Sequence, residues 1–233
     1  MKIRSLLPVL GLVAGLVTSI NASAVPIVLT FEGVADLTPV GNFYNGAGGP
    51  TLNLGVSFSA AGLGLIDQDA PGGPPFGSGV FANEPSPSTV LTFRDVGSVV
   101  LNYAAGFNDG FSLYYVSADN AFVRAWTGLD GTGTMLAEMH LEDQKVTGPG
   151  DPLPINGTPF GVWVPVGLAF TGTAQSLTFF GGPTVAAFDN VTLGSITAGI
   201  RQTVVPAGVV PEPSVYLLMA LGLIGMRFTM RRA

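Results

Sequence analysis

The sequence predicts an all-β fold, a two-sheet β-sandwich of the jelly-roll type, set between an apolar N-terminal segment and an apolar C-terminal segment. Two observations support this fold class. Short runs rich in aromatic and β-branched residues recur through the middle of the chain, and Gly and Pro clusters separate them, which is typical of strands and turns. No stretch between the ends shows a sustained 3.6-residue apolar period, so we expect no long helix there. A β-barrel is the alternative arrangement.

The individual strands are predicted from these runs and from alternation along them. In one run Phe111, Leu113 and Tyr115 share a face, as side chains two residues apart do in a strand. A hairpin is predicted where Asp130 and Gly131 separate two runs, because this pair favours a turn with positive φ. The predicted strands are 26–32, 55–60, 63–68, 79–83, 89–93, 97–103, 111–117, 121–128, 134–142, 162–170, 175–181 and 186–193.

Composition excludes several classes of protein. The chain has 233 residues, no Cys, and His140 as its one histidine. Disulfides, cysteine nucleophiles and zinc sites rich in Cys or His are therefore excluded. The net charge is −6, and residues 25–210 contain four basic residues against 14 acidic ones. This acidic balance excludes a protein that binds nucleic acid through a basic patch.

Residues 1–24 are predicted to be a secretory signal peptide. Two basic residues near the start precede an uncharged apolar run at 6–20, and a small-x-small sequence ends at Ala24. Cleavage is therefore expected between Ala24 and Val25, after passage through the secretion translocon. An uncleaved membrane anchor is the alternative interpretation of this segment.

The C-terminal segment, residues 210–233, has three parts in order. Pro211-Glu212-Pro213 comes first, an apolar stretch at 214–230 follows, and a basic tail at 231–233 closes the chain. The apolar stretch is short for a full span, but a basic side chain at its inner end can extend to the lipid headgroups. We therefore predict a transmembrane helix over 214–230.

Basic residues set the orientation of this predicted helix. Arg227, Arg231 and Arg232 form a cluster at its inner end, and such clusters remain in the cytoplasm. The part of the chain before the helix is therefore expected to face outward. That part is predicted to consist of a β-sandwich domain over 25–195 and a linker of small residues over 196–209.

This three-part tail resembles the PEP-CTERM sorting signal, and Pro211-Glu212-Pro213, the apolar stretch and the terminal arginines carry the match. The resemblance implies that an exosortase, a membrane-embedded transpeptidase-like enzyme, removes the tail near the PEP motif. It also implies a Gram-negative bacterium that makes exopolysaccharide, and transient anchoring in the inner membrane. Such tails also carry the label ice-binding protein C-terminal domain, which we do not take as evidence for ice binding. An ordinary tail-anchored membrane protein is the alternative.

Two short stretches of the middle domain carry a second resemblance. Phe31-Glu32-Gly33 and the run at 188–193 are similar to stretches of PEP-CTERM exoproteins and to the terminal strands of jelly-roll carbohydrate-binding modules. In those modules an acid on the first strand and an Asp on the last often hold a structural calcium. The resemblance therefore implies a calcium site at Glu32 and Asp189.

A physical argument from the last predicted strand points to the same site. Asp189, Val191 and Leu193 share a face in a regular strand, and the two aliphatic side chains must face the core. A carboxylate at the rim of a core costs several kcal/mol unless it is paired, hydrogen-bonded or bound to a metal. We predict calcium there with Glu32 as the second ligand. The alternative is an Asp189 that accepts hydrogen bonds from backbone N–H groups.

The sequence contains no credible catalytic set. Gly55-Val56-Ser57-Phe58-Ser59 fails the nucleophile-elbow pattern at its last position, and phosphate-loop and dinucleotide fingerprints are absent. Four aromatic residues in predicted strands could stack on sugar rings, although aromatic residues in strands belong more often to the core. These four are Tyr114, Tyr115, Trp126 and Trp163.

We therefore predict an exported cell-surface or extracellular-matrix protein that an exosortase processes. Its domain is expected to be a non-enzymatic β-sandwich that associates with exopolysaccharide or the biofilm matrix. A secreted hydrolase that acts on matrix glycans and a purely structural matrix protein are the alternatives.

Overall fold

The computed structural model describes residues 25–68, 77–94, 97–144, 161–182 and 185–199. They form two antiparallel sheets, so the predicted β-sandwich is confirmed. The predicted signal peptide, sorting motif and transmembrane helix lie outside the described residues. Among the described residues, no helix has the length and apolar character needed to cross a membrane.

Eleven strands build the sandwich. They are β1 (Ile27–Leu29), β2 (Val56–Phe58), β3 (Leu63–Ile66), β4 (Thr89–Thr92), β5 (Ser98–Phe107), β6 (Gly110–Ser117), β7 (Ala121–Trp126), β8 (Met135–Leu141), β9 (Val164–Ala169), β10 (Ala174–Phe180) and β11 (Ala186–Leu193). Sheet 1 has the order β3-β4-β11-β6-β9, with β1 also paired to β11, and sheet 2 has the order β2-β5-β10-β7-β8. From β4 to β11 the chain changes sheet at every connection except β7–β8, as in a jelly roll.

The core lies between the inner faces of the two sheets. On β7 the buried Val123 and Ala125 alternate with the half-buried Phe122, Arg124 and Trp126. Burying one large apolar side chain contributes about 1.5–3 kcal/mol. The largest fully buried side chains are Phe31, Phe93, Phe111, Phe179, Phe188, Leu29, Leu91, Leu101, Leu113, Leu141, Leu177 and Leu193.

One predicted strand, 79–83, does not form. The segment makes a single bridge at Gly79, and Phe81 packs against Val90 and Val116 on the outer face of sheet 1. Its apolar residues therefore cover a sheet face instead of joining a ladder. The other predicted strands all have observed counterparts, most of them a few residues shorter.

The predicted turn between β7 and β8 is present. Asp130 has a φ of 56° and Gly131 a φ of 67°, both in the left-handed region. Asp130 is fixed by Asn102 of β5, because its N–H donates to Asn102 Oδ1 at 2.8 Å and its Oδ1 accepts from Asn102 Nδ2 at 2.6 Å. The turn is therefore tied to its own sheet.

Residues 194–199 continue along sheet 1 after β11. The N–H of Gly199 donates to Thr192 Oγ1 at 3.0 Å. A methyl group on Gly167 of β9 would collide with the carbonyl group of Ile196, so this segment lies directly against β9. The first residues of the predicted linker therefore contact the domain.

Candidate functional site

The first predicted metal ligand, Glu32, follows β1. The strand ends at Leu29, and Phe31 has a left-handed φ of 60°, so the chain turns before Glu32. The Glu32 carboxylate accepts hydrogen bonds from the N–H groups of Ser88 at 3.0 Å and Thr89 at 2.9 Å. The Ser88 hydroxyl donates to it as well, at 3.0 Å. Glu32 therefore joins the end of β1 to the start of β4.

The second predicted ligand, Asp189, is fully buried in β11. Its carboxylate accepts the N–H of Ser86 at 2.7 Å and the N–H of Asn190 at 2.6 Å. Burial raises the pKa of Asp189 to about 7, and the negative charge of Glu32 adds to the rise while the hydrogen bonds oppose it. Both predicted ligands thus bind the segment 86–89, where their charges repel.

The prediction that Asp189 shares a strand face with Val191 and Leu193 is wrong. β11 has a bulge at Asn190, whose φ is 49°. Asp189 pairs with Tyr114 of β6, whereas Phe188, one residue earlier, belongs to the core. The bulge interrupts the two-residue alternation, so Asp189 does not share the face of Val191.

Backbone donors bind both carboxylates, as in the hydrogen-bonded alternative that the sequence left open. In the ranges that the structure describes, no three acidic or histidine side chains come together as a metal site. Calcium at Glu32 and Asp189 would have to complete its coordination with carbonyl oxygens and water. The donor chemistry fits calcium, because two like-charged oxygen ligands, one of them buried, gain from a nearby cation. The calcium site stays a prediction.

An open cleft lies on the outer face of sheet 1, beside Asn190. It has a volume of about 550 Å³, and its residues come from four separate parts of the chain. None of its side chains is charged, and two are aromatic. We call it the Trp163 cleft, and it is lined by Asn83, Pro85, Tyr114, Gly161, Val162, Trp163 and Asn190.

The Trp163 indole is held in place by its neighbours. Its Nε1–H donates to the carbonyl oxygen of Ala82 at 3.2 Å, and Phe81 packs against it edge to face with ring centroids 6.1 Å apart. Asn83 Nδ2 donates to the carbonyl oxygen of Gly161 at 3.3 Å. These contacts join the two segments that flank the cleft, so the aromatic ring is positioned by the fold itself.

Asn190 has a polar group without a partner. The residue is 2% exposed, and its Oδ1 has no hydrogen-bond partner among the described residues. An unpaired buried acceptor costs about 1–3 kcal/mol. The left-handed φ of Asn190 is one that Asn tolerates better than most residues. This unpaired amide oxygen beside the cleft could accept a hydrogen bond from a ligand that donates one.

The structure separates the four aromatic residues singled out in the sequence. Trp163 and Tyr114 line the cleft. Tyr115 is buried in the core at 5% exposure. Trp126 lies on sheet 2, where its Nε1–H donates to Thr178 Oγ1 at 2.9 Å. Two of the four are therefore placed for contact with a ligand in this cleft.

Sequence reasoning missed the two asparagines of the cleft. Asn83 and Asn190 have left-handed φ values of 58° and 49°. Asn is depleted in strands, so its presence inside the last predicted strand was a usable signal for Asn190. For Asn83 there was no such signal, because it ended a segment predicted to be a strand.

The remaining predicted site residues belong to the two ends of the chain. Val25, the first residue after the predicted cleavage, is 74% exposed and lies just before β1. The cleavage and sorting positions stay predictions. Outside the described residues lie Ala24, Pro211, Glu212, Pro213, Arg227, Arg231 and Arg232.

Several solved structures resemble this one at low sequence identity. The K2 cleaved adhesin domain of Lys-gingipain has a TM-score of 0.43 and 11% identity, over 73% of this chain and 100% of that chain. The K3 cleaved adhesin domain of Lys-gingipain from Porphyromonas gingivalis has a TM-score of 0.34 and 21% identity, over 59% and 93%. CsCBM6-3 from Clostridium stercorarium, solved in complex with cellobiose, has a TM-score of 0.31 and 11% identity, over 57% and 93%. These likenesses concern the fold alone.

The C-terminal segment gives the clearest comparison. Residues 209–233 match the PEP-CTERM protein-sorting motif, and no curated protein matches the chain significantly. The motif supports export, anchoring in the membrane before processing, and an exosortase as the processing partner. The ice-binding label is not confirmed. The chain therefore carries a PEP-CTERM sorting motif in its C-terminal segment.

Proposed function

We propose that the sandwich is a non-enzymatic carbohydrate-binding domain that attaches this exported protein to exopolysaccharide in the extracellular matrix. The observation that supports the proposal is the composition of the Trp163 cleft. There an oriented indole, a phenol and two amide side chains border an open space of sufficient size for one or two sugar rings.

A pyranose ring offers two kinds of contact. Its C–H faces are apolar and pack on aromatic rings, while its hydroxyl groups both donate and accept hydrogen bonds. Trp163 and Tyr114 supply aromatic surface, and Asn83 and Asn190 supply amide groups. Because the Ala82 carbonyl already fixes the indole of Trp163, binding requires little further ordering of that side chain.

The acids near the cleft favour binding over hydrolysis. Glycoside hydrolysis uses two carboxyl groups that flank the scissile bond at a defined separation. Asp189 and Glu32 instead accept backbone N–H groups, and neither lines the cleft. A purely structural role offers no partner for the amide oxygen of Asn190, whereas a bound sugar hydroxyl would supply one.

A glycan array probed with the secreted protein tests this proposal. We expect binding to at least one glycan class, and a loss of about tenfold or more in Trp163→Ala, which corresponds to about 1.4 kcal/mol. Trp126→Ala is the matched control, because it removes the tryptophan of sheet 2 and should bind normally. An array and a preparation of the cells' own matrix that both show no binding would reject the proposal, and release of soluble sugar from that matrix would indicate a hydrolase.

The proposed route to the matrix has its own test. If the tail is removed near the PEP motif, the secreted protein should lack the residues after about Pro213, which intact-mass analysis measures directly. Changing Arg227, Arg231 and Arg232 together to Gln should impair retention or orientation in the membrane, because the positive-inside signal is lost. A secreted protein that still contains Arg231 and Arg232 would contradict this route.

A further inference from the structure

We infer that the Trp163 cleft selects glycans without anionic groups, and that it recognises them through hydroxyl groups that donate hydrogen bonds to Asn190. The inference rests on the proposed function and specifies the class of ligand for the same cleft. Three features of the described residues support it: the type of polar group that lines the cleft, the position of the cationic side chains, and the acidic groups behind the cleft.

The polar groups of the cleft offer acceptors. Asn190 Oδ1 is an unpaired acceptor, and it can be satisfied only by a donor. Asn83 Nδ2 uses one of its two hydrogens to donate to the carbonyl oxygen of Gly161, which leaves its Oδ1 as an acceptor and its second N–H as a donor. Sugar hydroxyls donate hydrogen bonds, whereas carboxylate and sulfate oxygens only accept them. An anionic substituent at Asn190 would therefore leave two acceptors facing each other.

The arginine side chains of the described residues lie away from the Trp163 cleft. Arg124 is on sheet 2 and pairs with Glu138. Arg94 lines a separate pocket together with Thr92 and Val185. Proteins bind carboxylates and phosphates tightly through Arg, whose guanidinium donates two parallel hydrogen bonds. In the described part of the chain, neither guanidinium lies at the Trp163 cleft to pair with a uronic acid.

The ionisable groups behind the cleft are acidic. Asp189 is the buried neighbour of Asn190, and Glu32 binds the same segment, 86–89. The region 25–210 has 14 acidic residues against four basic ones, which adds a repulsive field for any polyanion. An acidic polymer would thus lose hydration of its carboxylates at the cleft without gaining a partner for them.

Matched polymers test the inference. Polygalacturonate and alginate are compared with their carboxyl-reduced derivatives, in which each carboxylate becomes a hydroxymethyl group and the linkages stay the same. The secreted protein should bind the reduced form about tenfold more tightly or better. Asn190→Gly should lose most of that binding while it keeps its melting temperature, because Gly accepts the left-handed φ of this position. Trp126→Ala, on the other sheet, should bind as the wild type does.

Each outcome of these binding experiments either supports or overturns the inference that the cleft selects glycans without anionic groups. Native uronans that bind as tightly as their reduced forms would overturn the inference and leave the proposed function intact. Equal binding at about 0.5 M NaCl, where screening shortens the range of charge repulsion to about 4 Å, would overturn the requirement for a donor. If neither form of either polymer binds, the glycan array decides: acidic hits overturn the inference, and neutral or amino-sugar hits support it. An array without hits rejects the proposed function itself.

Discussion

The outer faces of the two sheets differ in how completely their polar groups are paired. On sheet 2 the Arg124 guanidinium lies over the rings of Phe122 and Phe180, at 4.5 and 5.1 Å from their centroids. Its Nε also donates to Glu138, whose other oxygen lies 3.0 Å from His140 Nε2. The charged side chains on this face are therefore paired with one another, and the guanidinium also packs on aromatic rings.

The polar groups at the centre of sheet 2 have hydrogen-bond partners as well. Ser176 Oγ accepts the N–H of Gly131 at 3.0 Å and donates to the carbonyl oxygen of Gly128 at 2.6 Å. Thr178 accepts the indole N–H of Trp126. The turn after β7 thus folds over this face and buries its hydroxyl groups with partners.

Sheet 1 is different at the bulge of β11. Asn190 has an unpaired amide oxygen, and the neighbouring Asp189 is buried with a raised pKa. Each sheet carries a tryptophan, but Trp126 packs over paired groups while Trp163 borders an open cleft. Under the proposed function, binding therefore belongs to the face where a polar group is left unpaired, and the presence of a tryptophan alone does not identify that face.

The largest expected effect is a pH dependence of folding stability, and its cause is Asp189 on sheet 1. An unfolded Asp titrates near pH 4 and folded Asp189 near pH 7, so between these values the folded state holds a proton that the unfolded state has released. Stability should therefore fall as the pH rises from about 4 to 7, by on the order of 4 kcal/mol. Denaturant melts in EDTA measure the fall. Asp189→Asn should flatten it, and a wild-type stability that is constant or rises over this range would contradict the raised pKa.

Calcium binding to Glu32 and Asp189 would be a second property that sheet 1 has and sheet 2 lacks. A ligand that binds the folded state alone stabilises it by about 2.7 kcal/mol at a hundredfold excess over Kd. We expect millimolar calcium to raise the melting temperature of the wild type by several degrees relative to EDTA, because it offsets the repulsion between Glu32 and Asp189. Glu32→Ala and Asp189→Ala should each abolish this increment, whereas Glu138→Ala on sheet 2 should retain it. Identical wild-type melts with calcium and with EDTA would reject the site.

A smaller effect separates two asparagines, one on each sheet. Asn102 makes two hydrogen bonds to Asp130, so Asn102→Ala should lower the free energy of unfolding by about 1 kcal/mol and leave glycan binding unchanged. Asn190→Gly should show the opposite pattern, with stability retained and binding lost. Chemical denaturation and the glycan array applied to both variants measure the two properties. Two variants with the same pattern would remove the distinction between the faces.

The smallest expected effect concerns Glu138. The hydrogen bond from Arg124 lowers the pKa of Glu138, so this carboxylate contributes stability above its ordinary pKa and loses it on acidification. The sign is therefore opposite to that of Asp189. Glu138→Gln should slightly reduce the loss of stability in acid, because exposed ion pairs contribute little. A variant that loses stability more steeply than the wild type on acidification would contradict this assignment.

Much of the fold could be predicted because the signals for it are local. Alternation placed Phe111, Leu113 and Tyr115 on one face of a strand, and all three lie in the core. Asp130-Gly131 identified the turn between β7 and β8. The exception, 79–83, is apolar because Phe81 covers a sheet, and no local pattern distinguishes that role from a strand. Trp163 and Tyr114 were recognised as candidates, but only the fold shows that they share a cleft.

The rest of the site depends on a single backbone conformation. The left-handed φ of Asn190 shifts the register of β11 against β6, and this shift changes the face to which Asp189 belongs. A periodicity argument assumes a regular strand, so it placed Asp189 with Val191. The presence of Asn in a strand signals such a bulge, but it does not specify which side chains the bulge brings together.

The position of β11 also determines how the domain would respond to pulling. β11 lies inside sheet 1, paired with β6 along one edge and with β1 and β4 along the other, and the chain leaves it at Leu193 towards the C-terminal tail. Asn190 is on the same strand. Before the tail is removed, a polymer held in the cleft and the membrane anchor would load β11 from its Leu193 end, and the part of that load directed along the strand axis would act on its ladder. Its ladder hydrogen bonds run perpendicular to that axis, so they would resist together in shear instead of opening one after another.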